Sequence, residues 1–431
     1  MSKLKVVMLC HFSNPLIREH LKCGCGFFER LIRSILRKPI KEYDFAQWNT
    51  NAIKEFEKFT NNIELHVISP GYKMRNKESI FVENGIHYYF FKDEESFYTR
   101  ILNKFLKLSS KSYKKNRTYI SKKIDELQPD IVHLIGAENP NYSLAALDIP
   151  HNIPTLIQLQ TLMIHPEFKD NYPISIDEYN YRSDIERKIL NKADYIGSVS
   201  VKFVPYLKDN IKLKHPVIST NLALTEPVNI NSDKKEFDFV YYALNINKSV
   251  DYAIEAFAIV YKEKPTTTLD IVGGYSDDYK QQLDNRIHEL GIQRNVFFEG
   301  KLATHDDVIR QIKKSRFAVL PLKIDSISGT VRESMANGLP VITTITPATP
   351  KLNVKRESVL LSPIGDHQAM AENMLKLLSD ENYAEMIREN AGVTASERMN
   401  NEQVISKWID AYYACIANFR NGTPIPKNLL A

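Results

Sequence analysis

Residues 325–340 read DSISGTVRESMANGLP. The apolar run FAVLPL ends just before them, and VITT begins just after. Two carboxylates, Asp325 and Glu333, stand eight residues apart across this turn. In an open parallel sheet, ligands bind beyond the carboxyl ends of the strands. A helix that starts at 328–330 aims its first N–H groups and its positive dipole end into that space, where phosphate is the usual anion. A local reading competes. Thr330 and Glu333 also have the T-x-x-E spacing of a capping box, in which the glutamate satisfies a helix-end amide. Local pattern leaves both readings open.

The flanking elements decide what such a turn can face. Short apolar runs at 3–9, 63–69, 130–135, 155–160 and 194–200 read as strands, and 27–36, 52–59 and 184–191 have helical periodicity. Periodicity fades from 221 to 237, a stretch with Pro227 and polar residues, which reads as a linker. It then restarts, with strands at 238–243, 268–272, 296–299, 317–321 and 341–344 separated by helices. A final helix spans 403–417. The βαβα alternation points to parallel sheets flanked by helices, an α/β class. No GxGxxG or GxxxxGK[ST] occurs, which disfavours a Rossmann dehydrogenase or a P-loop NTPase.

Asp325…Glu333 followed by GLPVI resembles the donor-site motif of retaining GT-B glycosyltransferases of family 4, with Asp at the first acidic place where Glu is usual. Further stretches are similar to the same family: NKSVDYAIEAF at 247–257, LDIVGG at 269–274, LGIQRNVFFEG at 290–300, and residues 194–200 after an E-x-x-I-L helix. Upstream, PDIVHLIGAENPNYSL at 129–144 and residues 157–161 are similar to the acceptor-side half. The resemblance covers nearly the whole chain and is densest from 238 to 345. It implies two Rossmann-like domains whose parallel sheets face across a cleft: an acceptor-binding domain at 1–221 and a nucleotide-sugar-binding domain at 222–402. The helix at 403–420 is expected to cross back to the first.

The resemblance also implies roles. Glu333 would accept hydrogen bonds from the ribose hydroxyls of a UDP- or GDP-linked donor. Asp325 would hold hydroxyls of the transferred sugar with the amides of Ser326 and Ile327, and Gly329 and Thr330 lie at the phosphate end of the helix. Lys248 matches the family's diphosphate lysine. Preorganised donors aimed at a departing diphosphate are expected to be the main catalytic contribution. The family's arginine five residues before that lysine is absent, since Ala243 stands there, and lysine does not reproduce its bidentate geometry. Gly24 and Gly26 either let the first loop approach the donor phosphates or form a plain helix entry. Gln160 stands where the family often has histidine, so no protein base is expected there, and the leaving phosphate would take the acceptor's proton. Glu138 is a candidate ligand for acceptor hydroxyls. His133 reads as a core or supporting histidine. Asp325 and Glu333 lie on one side of the cleft, so hydrolysis by a flanking carboxyl pair is rejected. No metal and no cofactor beyond the donor are expected.

Composition sets the outer limits. The chain has 431 residues, 43% hydrophobic and 25% charged, with net charge +5. That is ordinary globular composition and excludes disorder as the main state. No apolar run of spanning length occurs, and the first residues lack a secretory pattern. Four cysteines without zinc or disulfide spacing suit a reducing cytoplasm. Residues 1–220 carry 33 Lys+Arg against 25 Asp+Glu; the remainder carries 24 against 27. The excess concentrates at 100–123, with nine cations, no acid and interleaved apolar residues. Such a face reads either as peripheral contact with an anionic membrane, where lipid-linked acceptors reside, or as a solvated helix. Nucleic acid is not expected, because no recognition motif accompanies the charge. The functional expectation is retaining transfer of a hexose-type sugar to a glycan or lipid-linked acceptor of a bacterial surface polysaccharide, on the inner membrane face. The alternatives are another GT-B enzyme such as a sugar-nucleotide epimerase, a non-catalytic GT-B subunit that binds a partner glycosyltransferase or glycan, and a basic nucleic-acid-binding protein.

Overall fold

The structure is a computed structural model that describes residues 3–21, 43–71, 74, 76–94, 112–166, 168, 174–198, 203–224, 235–245, 249–323, 328–346, 348–398 and 400–431, except the side chains of 244 and 245. The chain divides into two compact units, Met1–Ala223 with Asn401–Ala431, and Leu224–Asn400.

The first unit is built on an eight-stranded sheet. Its strands are β1 (Leu4–Leu9), β2 (Ile63–Gly71), β3 (Glu78–Glu83), β4 (Ile86–Lys92), β5 (Ile131–Ile135), β6 (Thr155–Gln158), β7 (Tyr195–Ser198) and β8 (Ile218–Ser219). The order is β3-β4-β2-β1-β5-β6-β7-β8, and all neighbours are parallel except β3 with β4. β1 is the central strand, and its unbroken apolar run reflects cover on both faces. Val6, Met8 and Cys10 enter one core while Val7 and Leu9 enter the other, the period-two alternation of a strand. The helix Asn401–Asn421 covers the first face with Ile405, Trp408, Tyr412 and Cys415, a spacing of three and four that keeps them on one stripe. The helices Lys114–Leu127 and Ile176–Lys192 cover the other face through Ile120, Ile124, Ile185 and Ile189.

His133, on β5, is one of the contacts that hold the C-terminal helix. It is fully buried, with Nδ1 2.7 Å from the Tyr412 hydroxyl and Nε2 3.1 Å from Gln158 Oε1. Gln158 Oε1 can only accept, so Nε2 carries the proton and Nδ1 accepts from Tyr412. Burial pulls this imidazole down to about 3, so it is a neutral core histidine. Trp408 Nε1 donates to the Asn221 carbonyl at 3.0 Å.

The second unit has six parallel strands, β9 (Phe237–Asn245), β10 (Leu269–Gly274), β11 (Val296–Gly300), β12 (Ser315–Leu320), β13 (Val341–Thr344) and β14 (Leu360–Ser362). The order is β11-β10-β9-β12-β13-β14. The chain builds outward from β9 to β11, then returns to start β12 on the other side of β9. The carboxyl ends of β9 and β12 therefore form a topological switch point, where open α/β sheets bind ligands. In the first unit the equivalent point lies between β1 and β5.

Candidate functional site

At the switch point of the second unit, β12 is followed by the helix Gly329–Ala336. Ser328 caps it, and its side chain accepts from the Val331 N–H at 3.3 Å. Gly329 and Thr330 are its first two residues, and the Thr330 and Ser328 hydroxyls lie 2.8 Å apart. This arrangement removes the capping-box reading of Glu333. Thr330 lies inside the helix and the cap is two residues earlier, so Glu333 is two residues too far along to serve the N-cap amide.

Glu333 is 9% exposed. Its Oε1 lies 3.3 Å from Nε2 of His305. His305 is the first residue of the helix His305–Ile312, which leads from β11 back to β12, and Thr304 caps that helix in a full capping box with Asp307. From below, Tyr242 on β9 donates its buried hydroxyl to the Thr330 carbonyl at 2.7 Å and lies 3.0 Å from Ser334 Oγ. Burial, and then the Glu333 charge, push this phenol well above its ordinary value, so it stays a neutral donor that pins the first turn. Arg332 is half-buried beside Glu333; burial draws it down to about 10 against the raising effect of that carboxylate. Ala243 is half-buried and packs against the core.

The neighbouring crossover starts with a strained residue. Ser249, 2% exposed, adopts φ +66 at the start of the helix Val250–Glu263, a left-handed conformation that costs about 1–3 kcal/mol for a non-glycine residue. Lys323, beyond β12, reaches Asp251 Oδ2 at 3.2 Å and lies 4.5 Å from the centre of the Tyr252 ring. Lys248, Asp325, Ser326 and Ile327 lie outside the described residues, as do Gly24 and Gly26.

At the switch point of the first unit, a buried polar cluster gathers around Glu138, which follows β5 and is 4% exposed. The Gln160 amide, after β6, lies between an acceptor, Glu138 Oε1 at 3.0 Å, and a donor, Trp48 Nε1 at 2.9 Å; the orientation that matches both has its nitrogen donating to Glu138 and its oxygen accepting from Trp48. Asn139 Nδ2 also donates to Oε1, at 3.0 Å. Gly136 permits this fold-back. Its φ is +85, and a Cβ there would sit 2.7 Å from both Glu138 carboxylate oxygens. Burial raises Glu138 to about 7 and the fully buried Glu186 to about 8. Glu186 Oε2 accepts from the Ile164 N–H at 2.9 Å. His11, beyond β1, lies 3.2 Å from the Tyr142 hydroxyl, and burial, assisted by the Arg182 charge, lowers it to about 4. The cluster is thus a protonatable carboxyl with amide, indole and imidazole neighbours, able to exchange hydrogen bonds with hydroxyl groups.

The structure thus brings Gly329, Thr330 and Glu333 together at one switch point, and Glu138 and Gln160 at the other. The sequence reading passed over Tyr242, His305, Trp48, His11 and Glu186 as functional candidates. The T-H-D-D box at 304–307 marks a helix start and could have drawn attention to His305. Tyr242 lies in an apolar strand run with no distinguishing signal. In the basic stretch, residues 100–111 lie outside the described residues. Of the remainder, Arg117 is bidentate to Asp148 (2.6 and 2.5 Å), and Lys122 and Lys123 approach Glu126. Among the described residues no helix is long and apolar enough to cross a membrane, and no group of three or more His, Cys, Asp or Glu side chains is placed to hold a metal.

Residues 224–393 match the family described as Glycosyl transferases group 1. The chain is 26% identical to N-acetyl-alpha-D-glucosaminyl L-malate synthase from Bacillus anthracis over 175 residues, 41% of this chain and 44% of that protein. The aligned part thus spans less than half the length of that relative. The fold is similar to sucrose-phosphate synthase from Thermosynechococcus elongatus, with TM-score 0.65 and 15% identity over 96% of this chain and all of that one. It is also similar to Alr3699/HepE from Anabaena in complex with UDP and glucose, with TM-score 0.60 and 15% identity over 95% of this chain and 99% of that one. The chain thus has the GT-B fold, two units each built on a predominantly parallel sheet, and its second unit is similar to the glycosyl transferases group 1 family over residues 224–393.

Proposed function

We propose that this protein transfers a hexose-type sugar, with retention of configuration, from a nucleotide-sugar to a hydroxyl of a glycan or lipid-linked acceptor in bacterial surface polysaccharide synthesis. The observation that carries this reading is Glu333. It is a buried carboxylate at the switch point of a glycosyltransferase domain, freed from any capping duty by Ser328. A carboxylate there can accept both vicinal hydroxyls of a ribose, and it lies beside Arg332 and close to the neutral Tyr242 phenol. UDP is the favoured carrier, since the similar fold of the Anabaena protein holds UDP; GDP is the second choice.

In the proposed reaction, the anomeric C–O bond to the diphosphate breaks and a bond to the acceptor oxygen forms on the same face. The acceptor's proton passes to the leaving phosphate oxygen. Lys248 and the first-turn amides at Gly329 and Thr330 meet the developing phosphate charge, and Asp325 with the amides of Ser326 and Ile327 holds the transferred sugar. This needs no metal and no further cofactor. Glu138 and Gln160 receive the acceptor hydroxyl.

A thermal-shift panel with UDP, GDP, ADP and CMP on wild type and Glu333→Ala tests the reading. A ligand at 100 times its dissociation constant adds about 2.7 kcal/mol of stability. A shift with one nucleoside diphosphate, lost in the variant, is the expected result. Absence of any shift would refute donor binding. It would favour a non-catalytic subunit, for which the small Ala243 in place of a phosphate-binding arginine is the specific support.

A further inference from the structure

The contact between His305 and Glu333 joins two separate crossovers of the second unit. His305 begins the helix that leaves β11, and Glu333 lies in the helix that follows β12. Both side chains are mostly enclosed, at 16% and 11% exposure, with Nε2 and Oε1 3.3 Å apart. Each is anchored from its own side. The Thr304–Asp307 capping box fixes the first turn that carries His305. The Ser328 cap and the Tyr242 hydroxyl fix the first turn that leads to Glu333.

A glutamate carboxylate turns broadly about its last torsion. A partner fixed on Oε1 removes that freedom and presents Oε2 in one direction. A rigidly presented carboxylate distinguishes two vicinal hydroxyls from one, because a buried acceptor left without its donor is costly. In the proposed reading the diphosphate, met by amides and cations, makes no such demand on Glu333.

We infer that His305 is a positioning residue that orients Glu333 and makes the site select ribonucleotides over 2′-deoxyribonucleotides. This rests on the reading of Glu333 as the ribose ligand. A hydrogen bond to a charged group corresponds to about 10- to 100-fold in affinity, and that is the discrimination expected between UDP and 2′-deoxy-UDP in the wild type.

The test is calorimetric titration of the full chain with UDP and 2′-deoxy-UDP, and with GDP and 2′-deoxy-GDP. The proteins are wild type, Glu333→Gln, His305→Ala and His305→Gln, each checked for an unchanged thermal midpoint without ligand. His305→Ala should bind the ribonucleotide about 5- to 20-fold more weakly and the deoxynucleotide, which keeps only the 3′-hydroxyl for Glu333, distinctly less so, and discrimination falls accordingly. His305→Gln, which can place an amide N–H near the same oxygen, should recover most of it. A merely structural role would weaken both nucleotides alike and would not be rescued by glutamine. Discrimination lost in Glu333→Gln but intact in His305→Ala overturns the inference and leaves the ribose reading standing. Equal affinity of wild type for ribo- and deoxynucleotide, or no binding of either pair, refutes the ribose reading itself.

Discussion

Glu186 provides a quantitative test of the buried polar cluster. Its carboxyl is fully buried, and burial raises it from the ordinary 4.5 to about 8. The folded state then holds a proton that the unfolded chain has already released. Where the unfolded state binds fewer protons, stability falls as pH rises. The loss begins near 4.5 and ends near 8. Histidines of the same unit act in the opposite sense at the acid end, among them the fully buried His133, the half-buried His11 and the buried His66, which burial also pulls down. His133 and His11 are lowered to about 3 and about 4, so their contribution is complete above the unfolded value near 6.5 and disappears as pH falls below it. The window from 6.5 to 8 therefore isolates the carboxyls. Across it Glu186 contributes roughly 1.5 pH units at about 1.4 kcal/mol each, so about 2 kcal/mol of lost stability. Glutamine at this position keeps an oxygen for the Ile164 N–H and cannot titrate. Urea unfolding at pH 6.5 and 8.0 reads the difference. Both tryptophans, Trp48 and Trp408, belong to the first unit, so their fluorescence follows the unit that contains Glu186. It excludes Asp270, a buried carboxyl of the second unit raised to about 7. Wild type should lose about 2 kcal/mol more than Glu186→Gln between the two pH values. Equal losses in the two proteins would mean that Glu186 is already ionised at pH 6.5, and the argument from burial would fail.

Tyr412→Phe removes the donor to His133 Nδ1 inside a fully buried contact. It should cost about 1–3 kcal/mol, seen as a lower urea midpoint by tryptophan fluorescence. Ser328→Ala removes the N-cap of the helix that carries Glu333. About 1 kcal/mol of stability should go with it, together with weaker binding of the nucleoside diphosphate identified in the thermal-shift panel. Gly136→Ala forces a left-handed φ onto a residue with a side chain and a Cβ onto the Glu138 carboxylate. The conformation alone costs about 1–2 kcal/mol, and glycosyl transfer should show a raised KM for the acceptor with the donor KM unchanged.

Most strands of both sheets were legible because each is encoded in its own residues. A run such as KVVML declares a strand buried on both faces, and the return of such runs after residue 237 announces a second α/β unit. The edge strands β3, β8 and β14 were not read: ESIFVE alternates but is of mixed polarity and carries little apolar signal, and β8 and β14 span only two and three residues. The amino-terminal turn of the helix that carries Glu333 was legible from small residues ahead of an apolar face.

What the sequence could not decide was which way Glu333 serves. One turn of helix holds both a plausible cap and a plausible ligand, and the two possible N-caps, Ser328 and Thr330, differ by less than a turn. The choice depends on where the helix meets β9 and β12. The same holds for Tyr242 beneath Thr330, for His305 against Glu333, and for Gln160 between Trp48 and Glu138. Local hydrogen bonding and side-chain periodicity act within a few residues, so the chain states them openly. Meetings between crossovers depend on strand order and register, and only the assembled sheets bring those side chains within a few ångströms.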